Sequence, residues 1–277
     1  MSSDFEPHRR FLFGVAYRML GAVAEAEDAV QDAFVRWASA DRGDVLEPRA
    51  YLARVVTRLC LDRLRSARAK REAYVGTWLP EPIVEAPDTR VADDLSVALL
   101  MTLERLSPLE RAAFLLHDVF DMDYVAIAGV LERSEAACRQ LATRAREHVR
   151  EERPRFEPQP DAEARLTAAF AAAMVSGDVD ALAGLLAEDA VLYSDGGGKR
   201  RAALNTIYGR AKNLRFFVGV RAKHGEILET RVVRINGLAG FVVRGHEGLE
   251  TLALETSGDR IVALYAIRNP DKLAHLA

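Results

Sequence analysis

Cysteine is scarce: the 277-residue chain carries two, Cys60 and Cys138, in segments that read as helices of different units. That excludes a disulfide-built secreted scaffold and makes a reducing, cytoplasmic setting the expectation. The two thiols lie 78 positions apart and no HExxH occurs, so no metal site is expected. Long apolar runs are missing too. Nothing approaches the roughly 18 residues of a membrane span, and no membrane association is expected. Arg9 and Arg10 precede FLFGVAY, but Arg18 cuts that run off and no small-residue cleavage site follows, so it does not read as a secretion signal. Internal repeats and low-complexity tails are also absent. Net charge is small, 38 Lys plus Arg against 41 Asp plus Glu, and says nothing about nucleic acid until it is mapped along the chain. What the chain does have is 49% hydrophobic residues, enough for sizeable cores in about two domains.

The charge map is uneven. From Phe5 to about Glu72 the pattern is helical, broken once by LGA at 20–22. In EAEDAVQDAFVRWA the apolar residues Ala26, Ala29, Val30, Ala33, Phe34 and Trp37 recur at three and four, leaving Glu27, Asp28, Gln31 and Asp32 on an acidic face. Pro48 suits a first helical position, and Tyr51, Leu52, Val55, Val56, Leu59 and Leu64 form the buried stripe of the next helix. Residues 49–71 hold eight basic side chains against Asp62 alone, a net +7. Like charges recurring at three and four repel, and an anionic partner removes that cost. Arg54, Arg58, Arg63 and Arg65 are the best placed for phosphate or unpaired bases, whereas Trp37 and Tyr51 fall on the apolar stripe.

Residues 73–94 carry Pro80, Pro82 and Pro87, which favour extended chain, together with Trp78 and Leu79, whose apolar area favours docking. A docked strap is expected. In the second helical unit, 95–150, Ser107, Pro108 and Glu110 spell a capping box. Tyr124–Leu131, capped by Asp123, then ERS and a longer helix capped by Ser134, make a helix-turn-helix pattern. Residues 133–150 hold five basic against two acidic side chains, a net +3 that suits a duplex. The N-terminal part of such a helix enters a major groove roughly 12 Å wide. Ser134, Glu135, Ala137, Cys138, Arg139 and Arg144 are the natural reading surface. After the Pro-rich joint at 151–160, residues 161–277 read as α+β. RLTAAFAAAMV, DALAGLLAE and RAALNTIYGRAKNLRFFVGV read as helices, AVLYS as a short strand, and ILETRVVRI, LAGFVVRG, ETLALETS and IVALYAIR as strands of a curved antiparallel sheet. Asn236-Gly237 marks a hairpin.

Tyr193, Asp195, His224 and His246 are the polar residues to inspect for acid–base work in that last unit, but their spacing defines no mechanism. DGGGK lacks the GxxxxGK[ST] spacing of a P-loop and reads as a tight turn. No catalytic residue, cofactor or small-molecule ligand follows from the pattern.

EAEDAVQDAFVRWA followed by PRAYLARVVTRLCLDRLRSARAKR resembles the second conserved region of group IV sigma factors, the extracytoplasmic function class. LSPLERAAFLLHDVFDMDYVAIAGVLERSEAACRQLATRAR resembles their fourth region. WLPEP at 78–82, DGGGK at 195–199 and NPDKL at 269–273 resemble the three signatures of the subgroup with a SnoaL-like C-terminal extension. The resemblance implies two all-α sigma domains, the second with a helix-turn-helix, followed by an α+β cone domain. It implies that residues 1–72 bind bacterial core RNA polymerase through Asp28, Gln31 and Asp32. The same domain would engage the melted minus-ten element through Arg54, Arg58, Asp62, Arg63 and Arg65. Arg58 stands where many relatives have Asn, so base preference there is not carried over. Ser134 through Arg146 match the helix that reads the duplex minus-thirty-five element. The extension, 161–277, would regulate through Trp78, Leu79, Pro80, Asp195, Gly196, Gly197, Gly198, Lys199, Asn269, Pro270, Asp271, Lys272 and Leu273, performing no covalent chemistry.

Overall fold

The computed structural model describes residues 4–40, 45, 47–72, 74–85, 96–152, 160–223 and 227–276. His224, the 86–94 part of the linker and most of the 151–160 joint lie outside them, as do the side chains of Arg68, Lys70 and Arg71. The chain forms two compact units, Met1–Ala73 with Ala98–Arg153, and Tyr74–Val97 with Pro154–Ala277. Both helical segments distinguished in the sequence thus fall in the first unit, and the Pro-rich segment falls in the second.

The first unit is all-helical. Helix α1 (Glu6–Leu20) ends where Gly21 takes φ 69° and returns its amide to Tyr17 O, the backbone reason for the LGA break. Helix α2 (Val23–Ser39) buries Ala26, Ala29, Val30, Ala33 and Trp37. Helix α3 (Pro48–Glu72) lays Leu52, Val56, Leu59, Cys60 and Leu64 into the same core. Trp37 and Tyr51 pack 5.7 Å apart as core aromatics. Helix α4 (Val97–Arg105) leads to α5 (Pro108–Phe114), whose Ser107–Glu110 capping box is formed in both directions. A π-helical segment, Leu115–Val119, continues it. Arg111 of α5 is buried, donates to Met19 O at the end of α1 and pairs with Glu104 at 3.1 Å, so it satisfies a terminal carbonyl that α1 leaves open. Helices α6 (Tyr124–Leu131) and α7 (Glu135–Glu152) flank the three-residue ERS break. Asp123 accepts from the Ala126 amide at 2.7 Å and Ser134 from the Ala137 amide at 3.2 Å, capping each helix as the sequence implies.

The second unit is α+β. Helices α8 (Pro160–Ser176), α9 (Val179–Leu185) and α10 (Arg210–Lys223) accompany a seven-stranded sheet ordered β1-β4-β5-β6-β7-β2-β3. The strands are β1 (Val84–Glu85), β2 (Leu186–Asp195), β3 (Ile207–Tyr208), β4 (Ile227–Ile235), β5 (Leu238–Gly245), β6 (Gly248–Ser257) and β7 (Arg260–Ile267). Short helix α11 (Pro270–Leu273) and a 3-10 turn, Ala274–Leu276, follow. Phe170, Ala173, Leu182, Leu192, Phe217, Phe241, Leu254 and Leu264 form the core between helices and sheet, the α+β arrangement that the sequence implies.

Three readings of local structure change. DALAGLLAE stops as helix at Leu185 and β2 begins at Leu186, because Gly184 weakens the helix and β7 takes Leu186 opposite Ile261. RAALNTIYG is not helical: Ile207 and Tyr208 pair with β2, and Gly209 at φ 89° separates them from α10. The sheet is not wholly antiparallel, since β2 and β7 are distant in sequence and run parallel. The hairpin forms as expected, with Asn236 at φ 51° and Gly237 at φ 79°.

Candidate nucleic-acid interface and strap anchor

On α2, Asp28, Gln31 and Asp32 are exposed, opposite the buried stripe. Arg63 of α3 reaches across to them, donating to Glu25 O and to Asp32 Oδ2 at 2.8 Å each and standing 3.9 Å from Asp28. It braces α3 against α2. Arg58 points the other way, toward the end of α6. It donates to Gly129 O and Val130 O at 3.4 Å and to the Glu132 carboxylate at 2.7 Å, where α6 leaves its last carbonyls without helical partners. The Arg54 guanidinium lies over Gly129, so close that a Cβ there would stand 3.3 Å from Nη2. Arg65 is exposed and pairs with Asp62 at 3.1 Å, one turn away.

On α7 the sequence reading needs one correction. Cys138 has no exposed surface and packs inside, so it leaves the reading face. Ser134, Glu135, Arg139 and Arg144 are exposed and Ala137 is half-buried. Arg139 pairs with Glu135 at 2.9 Å and lies 4.8 Å over the Tyr124 ring. Arg144 has no ion pair among the described residues. Arg146 is half-buried, bonded to Asp118 at 2.6 Å and to the Tyr124 hydroxyl at 3.0 Å, and so ties α7 to the preceding turn. Burial raises both thiols, Cys60 to about 12, which keeps them protonated and unreactive.

In the second unit WLPEP, DGGGK and NPDKL meet. Asp195 is fully buried, and among the described residues its carboxylate accepts four hydrogen bonds, from the Tyr74 hydroxyl at 2.5 Å, the Leu79 amide at 2.9 Å, the Gly197 amide at 3.0 Å and Lys272 Nζ at 2.7 Å. Lys272 also donates to Leu79 O, with its ammonium 4.3 Å from the Trp78 ring centroid and 4.8 Å from that of Tyr74. Burial and the hydrogen bond to Asp195 push the Tyr74 phenol well above its ordinary value. Asn269 caps α11 and donates to Tyr74, and Lys199 reaches the Asp271 carboxylate at 2.7 Å. Gly197, at φ 59°, passes so near Asn269 that a Cβ would stand 2.2 Å from its amide nitrogen. Leu79, Pro80 and Pro82 are buried, Pro82 O contacts His275 at 2.9 Å, and β1 extends the sheet beside β4. Asn236, singled out in the sequence only as a turn residue, both donates to Ile83 O and accepts from the Ile83 amide.

The acid–base candidates do not assemble. Asp195 is consumed by the anchor, Tyr193 stacks on Tyr265 at 5.3 Å, and His246 is exposed beyond β5. Among the described residues no cluster of His, Cys, Asp or Glu could hold a metal ion, and no helix is long and apolar enough to cross a membrane.

Residues 5–70 match the Sigma-70 region 2 family model and residues 96–149 match Sigma-70, region 4. The ECF RNA polymerase sigma factor SigJ of Mycobacterium tuberculosis is 40% identical over 98% of this chain and 92% of its own length. The chain belongs to the extracytoplasmic function sigma factors. These factors direct bacterial RNA polymerase to promoter DNA and initiate transcription, and this one does so with an α+β unit attached to its sigma regions. The crystal structure of M. tuberculosis SigJ superposes with a TM-score of 0.83 at 37% identity, covering 99% of this chain and 98% of that one. SigI of the same species is 37% identical over 66% of this chain and 65% of its length.

Proposed function

We propose that the sigma activity is divided along the chain and governed by the strap. In this reading residues 1–72 present Asp28, Gln31 and Asp32 to core polymerase, and Arg54, Arg58 and Arg65 to the melted minus-ten strand. Residues 95–150 read the minus-thirty-five duplex through Ser134, Glu135, Ala137, Arg139 and Arg144. Arg63 and Arg146 hold the helices that carry these faces, and the minus-ten arginines must exchange the α6 contacts of Arg54 and Arg58 for nucleic acid. The cone, 161–277, performs no catalysis and acts on the segment that joins α3 to α4 along the chain.

The observation that carries the regulatory part is the buried Asp195–Lys272 anchor, which grips that segment on both sides of Leu79. An intramolecular partner is present at high effective concentration, so docking of the strap limits the separation open to the two DNA-reading helices. The test is run-off transcription with purified core polymerase, comparing full-length protein with Lys272→Met and with a chain ending at 160. Lys272→Met should change promoter output while polymerase affinity stays constant. Equal output from all three would remove the regulatory role. Asp28→Arg serves for the polymerase face, because Asp28 is 75% exposed and its loss leaves the Arg63–Asp32 brace intact. Unchanged core affinity in that variant would remove Asp28 from the interface.

A further inference from the structure

Between α8, α10 and the sheet lies a cavity of about 170 Å³, lined chiefly by Phe170, Met174, Leu192, Phe217, Phe241 and Leu252. The cone core does not close over it: Val175 and Ile227 at its rim are exposed. Ser194 belongs to this lining. It is 1% exposed, and its hydroxyl has no hydrogen-bond partner among the described residues. The β-ladder aligns Ser194 with Ala266 on β7, Ala266 with Leu252 on β6 and Leu252 with Phe241 on β5, which are all cavity residues. Asp195, the next residue on β2, carries the strap anchor instead. A buried hydroxyl without a partner is costly, and few native side chains tolerate it without a bound group to complete it.

We infer that this cavity is a binding site for a neutral, apolar small molecule of one ring or a short chain, carrying a single oxygen that bonds to the Ser194 hydroxyl. Size follows from volume, since an apolar protein cavity of about 150 Å³ takes benzene. Neutrality follows from the charges present. The lining contains one cation and one anion, Arg268 and Glu250, already paired at 2.8 Å, while Arg268 also meets Glu247 at 2.8 Å. A ligand charge would therefore enter a low-dielectric lining with no counterion to receive it. Thr230 and Thr251 also border the cavity, and the other walls supply dispersion and burial, the usual make-up of a small-molecule pocket with a few orienting polar groups.

The test uses calorimetry and ligand-observed NMR on the full chain with three matched probes: 4-ethylphenol, ethylbenzene and 4-ethylbenzoate. The phenol should bind once per chain with a negative heat-capacity change, and the benzoate at least roughly tenfold more weakly. Ser194→Ala should weaken the phenol by roughly three- to tenfold and leave ethylbenzene unchanged. Ala266→Leu, which fills the cavity, should abolish binding of both. The near-isosteric Ser194→Ala keeps the test decisive if the filled variant fails to fold. Absence of saturable phenol binding, tighter binding of the benzoate, or a phenol affinity indifferent to Ser194→Ala would each overturn the inference. The readout is binding, so it stands or falls apart from any effect of the strap on transcription.

Discussion

Replacing Lys272 by methionine should release the strap without dismantling the cone. The substitution keeps the length of the stem and removes the ammonium that sits 2.7 Å from Asp195, whose side chain is 0% exposed. Three donors then remain to the carboxylate, from Tyr74, Leu79 and Gly197, but no cation. Removing one partner of a buried pair costs about 3–5 kcal/mol, and the three surviving donors place the expected loss near the lower end, about 3 kcal/mol. The same change removes the bond to Leu79 O and the cation over the Trp78 and Tyr74 rings, all of them strap contacts. About 3 kcal/mol corresponds to an opening constant raised roughly a hundredfold. Hydrogen exchange at the Leu79 amide, which donates to Asp195, reads that constant directly. Adding Asp195→Asn to Lys272→Met should restore protection toward the wild-type level, because the uncompensated charge is then gone. Exchange at Leu79 accelerated by less than about threefold, about 0.6 kcal/mol, would refute the anchor as the element that holds the strap.

Gly197→Ala should destabilise the second unit by about 1–3 kcal/mol, since it adds strain at φ 59° to a clash with Asn269, and urea unfolding followed by exchange at the strap should show it. Arg144→Ala should lower the salt slope of binding to a minus-thirty-five duplex by roughly 0.9, whereas Arg146→Ala should chiefly loosen the helix-turn-helix by removing its bonds to Asp118 and Tyr124. A titration of binding against salt separates these two outcomes. Cys60, ordinarily near 9.0 and raised to about 12 by burial, keeps its proton in the folded chain after the unfolded chain has lost it. Its contribution to stability is therefore complete below about pH 9 and lost as pH climbs toward 12, and native protein at pH 8 should leave both thiols unlabelled by a disulfide reagent until urea is added.

Periodicity and capping were legible because they are local. The stripe of α2, the Ser107–Glu110 box, the Asp123 and Ser134 caps and the Asn236-Gly237 turn each lie within a few residues of their own cause. The errors in the cone came from partners far along the chain: Leu186 becomes strand because Ile261 is opposite it, 75 positions later. Arginine roles were opaque for the same reason. A count of charges along α3 treats Arg58 and Arg63 alike, but Arg63 turns to the acidic face of α2 and Arg58 to the end of α6. Cys138 was misplaced because a reading face drawn as a run of residues ignores that every third or fourth position of a helix turns inward. The cavity had no local signal at all, since it arises where α8, α10 and five strands fail to fill the space between them.

Under the proposed division of roles, the contacts of Arg54 and Arg58 tie recognition to the state of the helical unit. Arg58 is held by two backbone carbonyls and an exposed carboxylate, and such exposed ion pairs contribute about 0–1 kcal/mol. That is weak enough for a phosphate-rich strand to displace, yet it satisfies the carbonyls at the end of α6 and spares the +7 helix part of its self-repulsion before DNA arrives. Arg63 is different. Its two bonds of 2.8 Å join Glu25 O and Asp32, and breaking them would loosen the exposed acidic face of α2. One helix thus carries an arginine that fixes the acidic face of α2 and others that are only lightly restrained. In the proposed division of roles, an interaction with DNA can draw on Arg54, Arg58 and Arg65 without disturbing the surface that binds polymerase.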